Sequence, residues 1–428
     1  MFRMKKKELS RRRFLRNAGK VAVAAPVFTI IPRHALGGPG YTAPSDQLTQ
    51  ALIGSGGQGR SHINQHGFKC LAVSDVKQEN LKKGLEIAGP DAKGYTDWRE
   101  VLERSDIDVI DIATPPHWHG PMVVAAADAG FDIWSEKPMT RTIGEGKKVV
   151  EACRRNGTIF RINTWFRFRA NFYGFNTPVA PIKKLVDSGM LGRPLKVTVN
   201  GHTGFNWKFQ WSGRTDLTPE PIPAGFDYDM WLGPALYKPY HPHRTGTTFR
   251  GYWDYDGGGL GDMGQHYLDP VQYILGKDDT GPVEIYIDAP QQHPEAVSSW
   301  RRIELKYADG CVIVLDGENK DADAPFIEGP LGKLYKGFES DIPNLKNKLA
   351  AFPDPEPQRT DFTEAVHTRQ KFCLNEQNAH RSCSLVNLSK IALRLGRGLR
   401  YDPVKEQFIG DEGANRLLDQ PMRAPWLV

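Results

Sequence analysis

Cysteine is scarce in this chain: five thiols in 428 residues, at Cys70, Cys153, Cys311, Cys373 and Cys383, with none of the close spacings that hold a metal. That excludes a zinc-organised fold and a disulfide scaffold, and no metal is expected. Whether Cys373 pairs with Cys383 in an oxidising compartment stays open. Long apolar runs are missing too. Residues 21–31 are broken by Pro26 and fall well short of the roughly 20 residues a spanning helix needs, so no stable membrane insertion is expected. There is no internal repeat and no low-complexity tract. Positive charge is scarcer than it looks. The net +6 includes ten basic residues against Glu8 within residues 1–37, which leaves −3 on the remainder and no basic patch for nucleic acid.

Those first 37 residues carry a pattern of their own. Ser10-Arg11-Arg12-Arg13-Phe14-Leu15-Arg16 precedes the apolar stretch, and small residues follow at Ala35-Leu36-Gly37-Gly38. The order of basic, apolar and small regions predicts a signal peptide over 1–37, of the twin-arginine kind that exports folded proteins. A periplasmic location is the expectation.

The remaining length suffices for two domains with separate cores. Short apolar runs at 50–54, 70–74, 109–113, 132–135 and 158–162 alternate with helix-like stretches at 59–65, 79–88, 98–104, 119–129 and 143–155. That rhythm predicts a parallel sheet covered on both faces. Gly, Pro and aromatics then crowd residues 201–260. Strand-like runs follow at 283–288, 300–307 and 311–315, with a helix near 381–397 and an extended tail. The expected fold is α/β: a dinucleotide-binding Rossmann domain over 38–165, then an α+β domain over 166–428 with an open, mostly antiparallel sheet.

The chemistry starts at Gly54-Ser55-Gly56-Gly57-Gln58-Gly59, a G-x-G-x-x-G match directly behind the first strand. Its glycines permit a tight turn, a close approach to a pyrophosphate and tight helix packing. The helix N-terminus then faces the phosphates. Asp75 ends the second strand, where a carboxylate binds the adenosine ribose and repels a 2′-phosphate, which favours NAD over NADP. Glu136-Lys137-Pro138 closes the strand at 132–135, and a lysine there reaches the crevice where such sheets bind ligands. Its ammonium can steady an oxygen that gains negative charge during hydride transfer. Asp262 and His266 are spaced i, i+4 and share a helix face. An imidazole there is suited to take a hydroxyl proton, with the carboxylate to orient it. The same pair also reads as a helix-start carboxylate with a buried structural histidine. Trp165, Arg167, Trp207, Tyr237, Arg250 and Trp253 read either as a sugar-binding wall or as the packing core of their segment.

Together with Thr114-Pro115-Pro116 and His119, these residues resemble the glucose–fructose oxidoreductase, inositol dehydrogenase and rhizopine-catabolism (Gfo/Idh/MocA) family over nearly the whole chain after the signal. The resemblance is nearest to its exported branch. It implies that Lys137 is the catalytic lysine, with Asp262 and His266 as acid/base partners. It also implies that Thr114, His119, Glu136 and Asn163, with Pro115 beside them, line the nicotinamide half of the cofactor site. An NAD-dependent oxidoreductase acting on a secondary hydroxyl of a sugar, glycoside or cyclitol is the expectation, as a homodimer or tetramer. The alternatives are a redox-neutral glycosidase or lyase working through a transient keto-sugar, and a non-catalytic binding protein on the same fold. Export implies a tightly held cofactor, with residues 38–46 as a candidate strap over it.

Overall fold

The computed structural model describes residues 47–168, 172 and 178–426. The expected signal peptide and the strap at 38–46 lie outside these residues, as does the side chain of Trp165.

Six strands, β1 (Thr49–Ile53), β2 (Lys69–Ser74), β3 (Lys93–Tyr95), β4 (Val109–Ile112), β5 (Asp132–Ser135) and β6 (Phe160–Ile162), form one sheet in the order β3-β2-β1-β4-β5-β6. Every pairing in it is parallel. β4 and β5 are buried along their whole length, as strands covered on both faces must be. The crossovers include α1 (Gly57–Arg60), α2 (Gln78–Ala88), α3 (His119–Asp128) and α4 (Ile143–Asn156). Thr142 caps α4 by accepting the Glu145 N–H at 3.1 Å. Two expectations change here. The helix over 59–65 is the single turn α1, continued as irregular turns, and the stretch 98–104 is a 3₁₀ helix, Trp98–Glu103. β3 is an addition. Its Lys-Gly-Tyr is too short and too exposed to show a strand pattern.

The second sheet has eight strands: β7 (Lys196–Val199), β8 (Glu284–Asp288), β9 (Arg302–Lys306), β10 (Val312–Asp316), β11 (Ile327–Gly329), β12 (Gly332–Leu334), β13 (Leu399–Asp402) and β14 (Gln407–Phe408). Their order is β12-β11-β7-β10-β9-β8-β13-β14, antiparallel except where β7 meets β10. The tail beyond the last helix therefore joins the sheet rather than trailing off. Against this sheet pack α5 (Val179–Asp187), α6 (Gly258–Leu275) and α7 (Glu376–Leu395). α6 is buried almost throughout, so its polar residues face protein or a cavity and not bulk water. All five cysteines are free thiols; Cys383 is buried with its Sγ 3.4 Å from the Thr140 carbonyl, so the pairing with Cys373 does not form. Among the described residues no helix is long and apolar enough to cross a membrane, and no His/Cys/Asp/Glu group is placed to hold a metal.

Candidate active site

A cavity of about 630 Å³ opens at the carboxyl ends of β1, β2, β4 and β5. Gly54 follows β1 at φ +93°, and a Cβ there would sit 2.8 Å from the Ala113 carbonyl. A Cβ on Gly59 would lie 1.9 Å from the Gly54 oxygen, so only glycine lets α1 seat on the strand. Gly56 and Gly57 have open space in front of them, which is where a pyrophosphate fits. Asp75 lines the same cavity; its Oδ1 accepts the Lys77 N–H at 2.8 Å, and the buried Ser55 hydroxyl lies 3.4 Å from Oδ2. Burial pushes the Asp75 carboxyl above its ordinary value. Ser55 and Gly59 thus shape the cradle from behind, while Gly54, Gly56, Gly57 and Gln58 face it.

At the other end stand Thr114, Pro115, Glu136 and Lys137. His119 lies behind them, its two ring nitrogens 2.7 and 2.8 Å from the Pro138 and Thr114 carbonyls, tying the two loops together. Asn163 also works from behind, donating to Glu136 Oε1 at 2.7 Å. Lys137 Nζ donates to Asp262 Oδ1 and to its carbonyl, both at 3.0 Å. Arg250 Nε donates to the same Oδ1 at 2.7 Å, its guanidinium resting between Trp211 and Phe249. Burial disfavours the Asp262 carboxylate, but Lys137 and Arg250 outweigh it and hold the pKa below its ordinary value. Asp262 and His266 project from one face of α6 onto the cavity wall, with Phe166 edge-on to the imidazole at 4.7 Å. The carboxylate is committed to Lys137 and Arg250, so it organises the cations.

The expected sugar wall does not assemble as a group. Of the six candidates, Arg250 lines the cavity. Arg167 is buried in a double ion pair, with Nε 2.7 Å from Asp269 Oδ2 and Nη1 2.8 Å from Asp278 Oδ2. Trp207 packs edge-on to Trp300 and Tyr267 in the C-terminal core. Trp253 is buried and donates to the His293 carbonyl at 3.0 Å. Tyr237 is 66% exposed and stands apart. Arg167, Trp207 and Trp253 thus follow the packing reading, and Tyr237 is not among the residues that line the cavity. The wall that exists includes Met230, Trp231, Thr245, Gly246, Thr247 and Phe249. It is stitched to the loop after β2 by Gln78 N–H to Gly225 O and Asp227 N–H to Val76 O, both 2.9 Å. Lys77 Nζ adds a bond to the Thr245 carbonyl at 3.2 Å. The only sequence signal for this roof was the density of aromatics.

Two family models match the chain: an oxidoreductase family NAD-binding Rossmann fold over residues 48–164, and an oxidoreductase family C-terminal alpha/beta domain over 175–428. The chain belongs to the Gfo/Idh/MocA oxidoreductase family. Both models describe an oxidoreductase family whose N-terminal half is an NAD-binding Rossmann fold. A levoglucosan dehydrogenase of Pseudarthrobacter phenanthrenivorans is 30% identical over 38% of this chain and 45% of that protein. An inositol 2-dehydrogenase of Salmonella typhimurium is 26% identical over 35% of this chain and 44% of its own length. The chain thus spans less than half the length of these curated relatives. The WlbA dehydrogenase of Bordetella pertussis, solved with NADH and UDP-GlcNAcA, shares the fold at a TM-score of 0.57 and 17% identity, covering 83% of this chain and 99% of that one. For this Gfo/Idh/MocA member the glycine cradle is therefore an NAD-binding Rossmann site.

Proposed function

We propose that the protein is an exported NAD-dependent oxidoreductase acting on a secondary hydroxyl of a sugar, glycoside or cyclitol, and that it holds its cofactor tightly. The observation that carries this reading is the convergence of Lys137, Asp262, Arg250 and His266 on the end of the cradle opposite Asp75. The cradle fits NAD on its own geometry. Gly54 and Gly59 cannot be replaced without a clash, Gly56 and Gly57 leave open space for a pyrophosphate, and its carboxylate sits where the adenosine ribose belongs. When bound, the nicotinamide supplies a hydride acceptor. The chain's own residues do the rest. His266, on the cavity wall, takes the hydroxyl proton, and the Lys137 ammonium steadies the oxygen as it turns toward a carbonyl. Asp262 keeps Lys137 in place, and Arg250 keeps Asp262 ionised. Met230 and Trp231 line the same cavity. The twin-arginine pattern at Arg11 and Arg12 supports export in folded form, and the stitched roof supports retention of the cofactor on the way. A homo-oligomer remains part of the proposal from family resemblance.

The test begins by denaturing the purified protein and assaying the supernatant for NAD, NADH and NADP. The holoenzyme is then offered D-glucose, levoglucosan and myo-inositol while nicotinamide absorbance and keto-product are followed. Released NAD(H), a keto-product and loss of turnover in Lys137→Ala support the reading. A folded protein that neither carries nor binds NAD(H), or unaltered turnover in Lys137→Ala, overturns it. Free sugar from a glycoside without net cofactor change assigns the redox-neutral reaction instead. Lysine at both Arg11 and Arg12 should leave the protein in the cytoplasm; undiminished export would remove that part.

A further inference from the structure

One buried group behind the cavity lining has no place in the chemistry above. His62 follows α1 and lies under the fingerprint, wholly inside the N-terminal sheet region. Its Nδ1 is 3.1 Å from both oxygens of Asp111 on β4, and its Nε2 is 3.1 Å from Glu136 Oε1 at the end of β5. A neutral imidazole carries one N–H. Gln58 Nε2 also lies 3.2 Å from His62 Nε2, but two carboxylates, one on each ring nitrogen, call for both. Glu136 in turn is surrounded by donors. Its Oε1 also accepts Gln58 Nε2 at 3.0 Å and Asn163 Nδ2 at 2.7 Å, and its Oε2 accepts the Lys137 N–H at 3.2 Å. The chain of contacts therefore runs Asp111, His62, Glu136, Lys137, and ends on the main chain of the lysine that touches Asp262.

We propose that His62 is a positioning residue: fixed as an imidazolium between Asp111 and Glu136, it keeps Glu136 ionised and immobile, and Glu136 anchors the backbone of Lys137 and the side chain of Gln58 at the reacting end of the cradle. This rests on the reading that Lys137 handles the substrate oxygen. The neighbours agree with a charged His62. From β1, Gln50 Nε2 donates to Asp111 Oδ2 at 2.7 Å. From β6, the Arg161 guanidinium lies 3.4 Å over the Trp134 ring, close enough to act on both Asp111 and Glu136. From β2, the Cys70 thiol is pushed up to about 11, chiefly by burial, so it stays neutral. Two carboxylates thus face two cations, with Lys137 and its partner Asp262 just beyond. Burial works against the imidazolium, yet the two carboxylates raise the His62 pKa to about 10 and its presence holds Glu136 well below the usual carboxylate range. A cation held only to stabilise the core would end on structural groups. This one ends on two residues that line the cavity.

The experiment uses the holoenzyme labelled with ¹⁵N-histidine, with His62→Gln to assign the signal. The amide of Gln still reaches Glu136 but carries no charge. The expected spectrum has one histidine, missing in H62Q, with both nitrogens protonated from pH 6 to about 9. H62Q should retain NAD at the wild-type ratio and keep its KM. Its kcat for whichever of D-glucose, levoglucosan or myo-inositol reduces the wild-type cofactor should fall by about 10²-fold. The acid limb of the kcat profile should also move up by about one pH unit or more as Glu136 takes a proton. A neutral His62 at pH 7, or a kcat profile in H62Q that is unchanged in height and position, overturns the proposal. If H62Q fails to fold, Asp111→Asn is the second variant, and it should lower the pH at which His62 loses a ring proton. Normal turnover in Lys137→Ala alongside a protonated His62 would sink the reading of Lys137 while leaving the charge assignment standing.

Discussion

Replacing Arg250 with Met tests the electrostatics of the acid/base end, because Met keeps much of the apolar stem and deletes the guanidinium that lies over Trp211 and Phe249. Asp262 Oδ1 then loses the donor at 2.7 Å and keeps Lys137 at 3.0 Å. A hydrogen bond between charged groups contributes about 1.5–3 kcal/mol. Without it the depressed Asp262 carboxyl should rise toward its ordinary value. The Arg250 side chain is 23% exposed, so water screens part of the loss. The sign follows from the carboxylate being depressed in the fold. Its charge stabilises the protein above the unfolded pKa, and that contribution disappears as pH falls through the folded value. R250M should therefore show an acid limb of kcat/KM at higher pH than wild type. Its deficit in thermal stability should be present at pH 7 and shrink in acid. The assays are a pH–rate profile with the substrate found in the sugar panel and melting curves across the same range. A limb that stays in place while kcat/KM drops equally at every pH would refute the argument, because Arg250 would then act on substrate binding alone.

Arg167→Ala should cost about 3–5 kcal/mol of stability by leaving Asp269 buried without its partner, while NAD content per folded molecule stays at wild type. Loss of turnover without loss of stability would return Arg167 to the substrate wall. Asp75→Ser should narrow the preference for NAD over NADP by about tenfold, or about 1.4 kcal/mol, in equilibrium binding to the apoprotein. An unchanged ratio would mean that another group rejects the 2′-phosphate.

The parts of the site that were legible in the sequence are those whose function is set by local spacing. Gly54 to Gly59 and Asp75 mark a turn and a strand end that any dinucleotide cradle of this kind needs, and Lys137 marks the end of β5 in the same way. Asp262 and His266 were found by a helical interval. The sugar wall was not legible because aromatic density says nothing about facing. Trp207 and Trp253 turn inward in the C-terminal half, and the partners of Arg167 lie 102 and 111 residues downstream. His62 was missed for a related reason. It stands three residues beyond Gly59, but the two carboxylates that give it meaning come from β4 and the end of β5. β3 lacks any apolar alternation, β13 only becomes a strand once β8 is beside it, and β14 once β13 is.

The roof over the cradle also fixes an order of events. Its anchor at Thr245 is 168 residues beyond the Lys77 that holds it. Synthesis from the N-terminus completes the glycine turn, the ribose carboxylate and the parallel sheet long before residues 225–249 exist. A dinucleotide arriving during that interval meets an open groove. One arriving after closure meets Gly225 and Asp227 already bonded to Gln78 and Val76. Refolding with NAD present should therefore yield holoenzyme faster than adding NAD to the folded apoprotein, and equal rates would show that the stitch does not control entry.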